Sequence, residues 1–210
     1  MQGDTVILVH GLWMTGIELS VLQHRLAEHG FHVRRFRYGT LRTGLEQNRE
    51  KFANFVTGIS AQGLHIIGHS LGGVLALHTL QRYPGLPVEK VVCLGSPLVD
   101  TKAGRNLLQI PFGPKLLGRT LKEGVIDAPL GSWDGPQAVG SIAGELSLGL
   151  GKVVKRLPGP YDGAVLVDET RLPGIDDHIV LRVSHSGLVL SPEAALQSMW
   201  FLDFGEFRWA

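Results

Sequence analysis

Short apolar runs alternate with amphipathic stretches along the first 94 residues. Residues 5–9 form a mostly apolar, β-branched run, which is typical of a strand buried on both faces of a sheet. Between residues 18 and 29, leucines recur on one side of a helical pattern that ends at Gly30, a suitable helix-capping residue. The same alternation continues, and it predicts strands at 31–38, 64–67 and 88–94 and helices at 44–56 and 71–82.

The second half of the chain follows the same pattern less regularly. It predicts strands at 139–143, 164–167 and 179–183 and a closing helix at 192–204. Strands that alternate with helices of about 12 residues indicate an α/β fold, with a mostly parallel sheet covered by helices on both faces. The 210 residues fit one domain, 1–210, with a full core.

Residues 100–135 interrupt this alternation. The segment is rich in Gly and Pro and carries apolar patches, as in residues 107–112. Ligands bind beyond the carboxyl ends of the strands in such sheets, so we predict an insertion over that edge, a lid or cap. An irregular surface connection without a function is the alternative.

Composition and charge exclude several classes of function. The chain has 20 basic and 19 acidic residues, so no overall field attracts nucleic acid. Cys93, the one cysteine, cannot form an internal disulfide and is expected to be a small core residue. No apolar run approaches the roughly 20 residues of a membrane-spanning helix, and the first strand leaves no room for a signal peptide. We therefore expect a cytoplasmic protein without an integral membrane segment.

One pentapeptide carries the clearest chemical signal. Gly68-His69-Ser70-Leu71-Gly72 is a Gly-x-Ser-x-Gly sequence between a predicted strand and a predicted helix, the context of a nucleophile elbow. The sharp turn leaves no room for side chains two residues before and after the serine, which accounts for both glycines. It also holds the serine in a strained backbone region and lifts its hydroxyl clear of the sheet. Ser70 is therefore the predicted nucleophile.

A serine hydroxyl needs an adjacent base, usually a histidine oriented by a carboxylate. Three histidines follow Ser70 in the chain. His78 lies two helical turns further on, and His178 lies among aspartates in a predicted turn ahead of a strand. His185 follows that strand, in a loop at its carboxyl end, so we predict that His185 is the base.

The orienting carboxylate is expected on a loop shortly before His185. Asp162 precedes it by a length of chain that accommodates one strand and its return. Asp168, close behind a predicted strand, is the competing candidate. Asp176 and Asp177 precede the strand that leads to His185, so they belong to the opposite end of the sheet. We predict Asp162 and keep Asp168 as the alternative.

Ester hydrolysis also requires N–H donors for the oxyanion, worth about 3–4 kcal/mol for one donor in a measured case. The N–H of Leu71, directly after the nucleophile, is the first predicted donor. The second is the N–H of Leu12, in the loop that His10 and Gly11 begin after the first strand. Ordinary turn chemistry is the alternative explanation of His10 and Gly11.

These segments together resemble the α/β-hydrolase family, and within it the small lipases and esterases. The family's His-Gly loop matches His10-Gly11, its elbow matches 68–72, its Asp-Gly-x-Val loop matches 162–165, and its late histidine loop matches His185. Gly95-Ser96-Pro97 is also similar to the end of the strand after the elbow. The resemblance covers nearly the whole chain and is weakest between 100 and 135. It implies the α/β-hydrolase fold and ester hydrolysis through an acyl-enzyme without a cofactor.

The sequence therefore predicts a serine hydrolase that cleaves carboxylic esters, either small molecules or lipids, with transient contact to a lipid surface. A thioesterase or acyltransferase with the same triad is the near alternative, because one fold serves many chemistries. A non-catalytic binding protein on a hydrolase scaffold is the distant alternative. The chain has no Cys-x-x-Cys, His-Glu-x-x-His, phosphate-loop or dinucleotide-binding motif, so we expect neither a cofactor nor a metal site.

Overall fold

The computed structural model describes residues 3–147 and 157–208, which contain a sheet of six strands. The strands are β1 (Thr5–Val9), β2 (His32–Phe36), β3 (Leu64–His69), β4 (Lys90–Leu94), β5 (Ala138–Gly144) and β6 (Asp177–Leu181). Their order in the sheet is β2-β1-β3-β4-β5-β6, and every neighbouring pair is parallel. All six carboxyl ends therefore lie at one edge, and the loops that follow the strands can meet there.

Helices cover both faces of the sheet. They are α1 (Ser20–Glu28), α2 (Leu45–Thr57), α3 (Leu71–Arg82), α4 (Lys102–Leu108), α5 (Gly113–Leu117), α6 (Arg119–Leu121), which a π-helix continues (Lys122–Asp127), and α7 (Pro192–Phe204). Short 3-10 helices lie at Ile17–Leu19, Val167–Thr170 and Gly187–Val189. Within the described ranges, no helix has the length and apolar character to cross a bilayer.

Alternate residues of β1 show how the two layers are built. Val6 and Leu8 pack in a core with residues of α1 and α7, whereas Ile7 and Val9 pack with α2 and α3 on the other face. Successive side chains of a strand point to opposite faces, so a strand covered on both sides must be apolar throughout. The predicted α/β class with a two-sided core is confirmed.

Residues 164–167, predicted as a strand, instead form a turn that leads into the 3-10 helix Val167–Thr170. Asp162 Oδ1 accepts the N–H groups of Ala164 at 2.9 Å and Val165 at 2.8 Å, so these donors are unavailable to a sheet. Gly163 has a φ of 109°, a left-handed conformation that ends extended structure. The apolar residues that suggested a strand are nevertheless buried in this loop.

The segment 100–135 connects β4 to β5 and is largely helical. Thr101 caps α4, since its Oγ1 accepts the N–H of Gly104 at 3.0 Å. From Leu117 onward the segment is anchored, because Leu117, Leu121 and Val125 belong to the core on the α2–α3 face. The part before Leu117 is more exposed and contains the apolar residues of α4 and α5.

This insertion also contacts the loops at the carboxyl edge of the sheet. The indole Nε1–H of Trp13, after β1, donates to the carbonyl of Leu116 at 2.9 Å. The N–H of Arg119 donates to the carbonyl of Leu41, after β2, at 3.0 Å. The exposed half of the insertion therefore lies beside the loops where a site would form.

Candidate active site

The turn between β3 and α3 holds Ser70 in an unusual conformation. Its φ of 54° and ψ of −121° lie in a region that residues other than glycine rarely adopt. A Cβ at Gly68 would lie 2.4 Å from the N of Gly73, and one at Gly72 would lie 2.2 Å from the carbonyl oxygen of Val9. The Ser70 N–H donates to Leu94 O at 2.8 Å, which ties the turn to β4. These contacts keep the strained turn in place at the carboxyl edge.

Asp162 and His185 form a short hydrogen bond at the same edge. His185 Nδ1 lies 2.7 Å from Asp162 Oδ2, and the His185 N–H donates to the main-chain carbonyl of Asp162 at 2.8 Å. Asp162 is 1% exposed, and its other carboxylate oxygen holds the loop described above. A carboxylate oxygen accepts, so the proton of a neutral His185 resides on Nδ1 and Nε2 keeps its lone pair. An imidazole in this tautomer can accept a proton at Nε2.

The structure does not bring the competing carboxylates to His185. Asp168 is exposed on the 3-10 helix Val167–Thr170, whereas the hydrogen bond to His185 Nδ1 comes from Asp162. Asp176 Oδ2 accepts the N–H of Val139 at 2.7 Å, at the amino ends of the strands, as its position before β6 predicts.

The other two histidines that follow Ser70 also have partners of their own. His178 lies within β6 rather than in a turn ahead of it, and its Nε2 is 2.8 Å from Thr170 Oγ1. Burial lowers the pKa of His178 to about 4. His78 is buried on α3, and its Nε2–H donates to the carbonyl of Gly124 at 2.7 Å.

Ser70 and His185 are neighbours through His69, whose ring centroid lies 4.8 Å from that of His185. Ser70 is 8% exposed. Among the described residues, its hydroxyl makes no hydrogen bond to His185. Such bonds are often long without substrate and tighten when the substrate binds.

The loop after β1 passes directly against Ser70. A Cβ at Gly11 would lie 3.0 Å from Ser70 Cβ, so this close approach favours glycine. His10 Nδ1–H donates to the carbonyl of Gly11 at 2.9 Å, and the ring stacks on Tyr38 at 4.6 Å. Burial lowers the pKa of His10, which keeps it neutral. The Gly11 carbonyl is thus fixed, and the trans peptide directs the N–H of Leu12 the opposite way.

The two amides expected at an oxyanion site are both unoccupied. Within residues 3–147 and 157–208, neither the N–H of Leu12 nor that of Leu71 donates to a protein acceptor. Leu71 begins α3, where the N–H groups of the first turn lack helical partners. Both amides therefore remain available to an anionic oxygen.

Gly95 belongs to the site, although the sequence indicated it only within Gly95-Ser96-Pro97. A Cβ there would lie 3.0 Å from Asp162 Oδ2 and 3.2 Å from His185 Nδ1. The residue directly follows β4 and so lies at the carboxyl edge of the sheet, but its closeness to the pair is evident only in the structure.

Two further features define the surroundings. A cleft of about 390 Å³ opens among Thr5, Arg34 and Ser60, at the amino edge and therefore opposite to Ser70. In the part of the chain that the structure describes, no three His, Cys, Asp or Glu side chains form a group that could hold a metal ion.

Comparisons with known proteins show the family and the fold of the chain. A family model described as "Alpha/beta hydrolase family" matches residues 6–201. The putative carbamate hydrolase RutD of Pantoea ananatis is 28% identical over 115 residues, a match that covers 50% of this chain and 41% of that protein.

Solved structures share the fold at low sequence identity. The lipase BlEst2 of Bacillus licheniformis, in its mature form, superposes with a TM-score of 0.76 at 16% identity and covers 97% of this chain and 92% of its own. The metagenomic carboxyl esterase MGS0156 has a TM-score of 0.68 at 16% identity, with coverage of 88% and 65%.

Proposed function

Because the chain belongs to the alpha/beta hydrolase family, we propose that it is a serine hydrolase that cleaves carboxylic esters through an acyl-enzyme on Ser70. The observation that carries the proposal is the 2.7 Å bond between Asp162 and His185 at the edge where Ser70 stands in its strained turn. A base whose Nε2 lone pair is free, an orienting carboxylate and a serine hydroxyl at the same edge of the sheet are the parts that acyl transfer to serine requires.

The reaction follows from these positions. Ser70 Oγ attacks the ester carbonyl carbon while its proton passes to Nε2 of His185, and the carbonyl electrons move to the oxygen. The intermediate collapses, the alcohol leaves with the proton from Nε2, and Ser70 remains acylated. Water then attacks the acyl-enzyme while Nε2 of His185 accepts one of its protons. The second intermediate collapses, Nε2 returns the proton to Ser70 Oγ, and the carboxylic acid is released. Asp162 remains ionised and stabilises the imidazolium that forms in each half.

The two unoccupied amides suit the intermediate. In this proposal the N–H groups of Leu12 and Leu71 donate to the oxyanion, and among the described residues neither N–H has to leave a protein acceptor first. Electrostatic stabilisation is largest when the donors are already held in position at a buried site.

Apolar residues beside the loop after β1 favour esters with apolar acyl chains. Five side chains, which we call the apolar ridge, are each at least 39% exposed: Trp13, Leu41, Ile110, Phe112 and Leu116. Trp13 directly follows the proposed oxyanion donor, so the ridge begins at the site, and the insertion 100–135 acts as a lid that carries its outer part. Each acyl methylene removed from water contributes about 0.8 kcal/mol. Exposed apolar patches also mark surfaces that contact lipid, so a transient lipid contact belongs to the proposal.

The primary test is covalent labelling. A fluorophosphonate probe should label the wild-type protein and the control Ser60→Ala, whose serine is exposed near the amino edge, but not Ser70→Ala. The wild-type protein and Ser60→Ala should hydrolyse p-nitrophenyl esters, whereas Ser70→Ala should not. Labelling of Ser70→Ala to the same extent as the wild type would refute Ser70 as the nucleophile.

The two candidate carboxylates form a second, matched test. Asp162→Asn should lower kcat by roughly 10⁴-fold, as in the known triad case, because the wrong tautomer of His185 is then favoured. Asp168→Asn, an exposed carboxylate on the same loop, should leave kcat unchanged. The reverse result would assign the orienting role to Asp168.

A further inference from the structure

His69 is a buried titratable group that the proposed mechanism does not use. It is 1% exposed and lies directly before the nucleophile. Its Nε2 is 3.0 Å from the main-chain carbonyl of His185, and its Nδ1 is buried without a hydrogen-bond partner. A Cβ at Gly11 would lie 3.2 Å from this Nδ1. The ring is therefore enclosed between the oxyanion loop and the loop of the base.

The partner fixes the tautomer of His69. A carbonyl oxygen can only accept, so the proton must be on Nε2. Burial, and next the neighbouring His185, lower the pKa of His69 to about 3, so the ring is neutral over the working range. With one proton on Nε2, Nδ1 is a bare acceptor, which agrees with its lack of a partner. His69 thus acts as a fixed hydrogen-bond donor and adds no charge beside the base.

Among the described residues, three hydrogen bonds hold His185, two with Asp162 and one with His69. Its side chain and its N–H are bonded to Asp162, at 2.7 and 2.8 Å. Its carbonyl is bonded to His69, which belongs to the elbow itself. Because the Ser70 hydroxyl does not bond to His185 in this structure, the His69 bond is what links the segment of the nucleophile to the segment of the base.

We propose that His69 is a positioning residue that sets the distance between nucleophile and base by donating its Nε2–H to the His185 carbonyl. This inference rests on the proposed function, since it assigns His185 as the base for Ser70. Without the donor, His185 itself keeps only its two bonds to Asp162 among the described hydrogen bonds, and the proton transfer from Ser70 loses its geometry.

The test compares donor-lacking and donor-retaining variants. His69→Phe keeps a planar ring without the donor, and His69→Gln keeps an N–H near the position of Nε2. If His69→Phe does not fold, His69→Leu replaces it. We expect kcat for p-nitrophenyl acetate to fall about 10- to 100-fold in His69→Phe, because misplacement by 1 Å can cost about 10²-fold. KM should stay within about 2-fold, and His69→Gln should recover most of kcat.

His78 provides a matched control. It is equally buried, and its Nε2–H also donates to a main-chain carbonyl, that of Gly124, but away from Ser70. His78→Phe and His78→Gln should lose stability in urea unfolding and keep kcat. The downfield ¹H NMR resonance of the His185 Nδ1 proton should shift or broaden in His69→Phe, and remain in place in His69→Gln and in both His78 variants.

Three results would overturn the inference: unchanged kcat and an unshifted resonance in His69→Phe, an equal loss in His69→Gln, or an equal loss in His78→Phe. Failure of the proposed function is a separate outcome, seen as absence of probe labelling at Ser70 in the wild type. In that event the NMR resonance still decides whether His69 positions His185.

Discussion

Gly95→Ala tests the geometry of the Asp162–His185 pair with the smallest possible change. A methyl group there would lie 2.6 Å from Leu188 Cδ1, 3.0 Å from Asp162 Oδ2 and 3.2 Å from His185 Nδ1. Leu188 is fully buried in the 3-10 helix that follows His185, so relief of this clash requires its side chain to move within a packed interior. The methyl group therefore presses on the pair and on the segment that carries the base.

The expected loss of unfolding free energy in Gly95→Ala has two parts, which a control variant can separate. Gly95 has a φ of 55°, and a side chain in left-handed backbone costs about 1–2 kcal/mol. Overpacking of a dense interior adds about 1–3 kcal/mol, so Gly95→Ala should lose about 2–5 kcal/mol of unfolding free energy. Gly205, after α7, has a φ of 82° with no heavy atom within 4 Å of its added Cβ. Gly205→Ala should therefore lose only about 1–2 kcal/mol.

Urea unfolding and ester kinetics give the two readouts. We expect kcat of Gly95→Ala to fall about 10²-fold, the cost of a displacement near 1 Å, while Gly205→Ala keeps wild-type kcat. If Gly95→Ala folds with kcat equal to that of Gly205→Ala, the added methyl does not move the pair, and the reasoning from its packing is refuted.

Three further predictions use the same assays. Stability should fall as pH drops below about 6.5, because His69 and His178 bind protons there when unfolded, but only near pH 3 and 4 when folded. Each contributes up to about 1.4 kcal/mol per pH unit, so urea titrations of His69→Gln should show a shallower pH slope than wild type. Trp13→Phe loses the hydrogen bond to the Leu116 carbonyl and should lower kcat by up to about 10-fold, which is less than the loss of an oxyanion donor costs. An unchanged kcat would show that the loop after β1 keeps its position without this hydrogen bond. Finally, kcat/KM across acetate, butyrate, octanoate and palmitate esters should have its maximum beyond butyrate. Phe112→Ser should flatten this dependence on chain length. A maximum at acetate would exclude acyl binding by the apolar ridge.

Elements with local signals were predictable from the sequence. The bounds of α3 and α7 agree with the predicted 71–82 and 192–204. For α7 the reasons are visible: Ser191 Oγ accepts the Ala194 N–H at 3.2 Å, Pro192 occupies the first turn, and Gly205 ends the helix in left-handed backbone. Each signal lies within a few residues of the end it marks.

Features that depend on distant residues were not predictable in this way. The buried apolar run at 164–167 suggested a strand, but the Asp162 carboxylate accepts the N–H groups of Ala164 and Val165. The short helices of the insertion lack a clear periodicity, since several apolar residues there face solvent. The bond of His69 to the His185 carbonyl joins residues that only the assembled sheet edge brings together.

The two glycines of the elbow depend on both local and distant contacts. The sequence assigned both glycines to crowding within the turn, and this holds for Gly68, whose added Cβ would meet the backbone of Gly73. An added Cβ at Gly72 would instead meet the carbonyls of Val9 at 2.2 Å and His10 at 2.8 Å, which belong to β1 and its loop. Backbone carbonyls cannot rotate away as a flexible side chain can, so a larger residue at 72 would separate α3 from β1. That separation would displace the loop that carries the Leu12 amide as well as the serine. Gly72 therefore couples the nucleophile to the proposed oxyanion donor, because the one close contact sets the position of both.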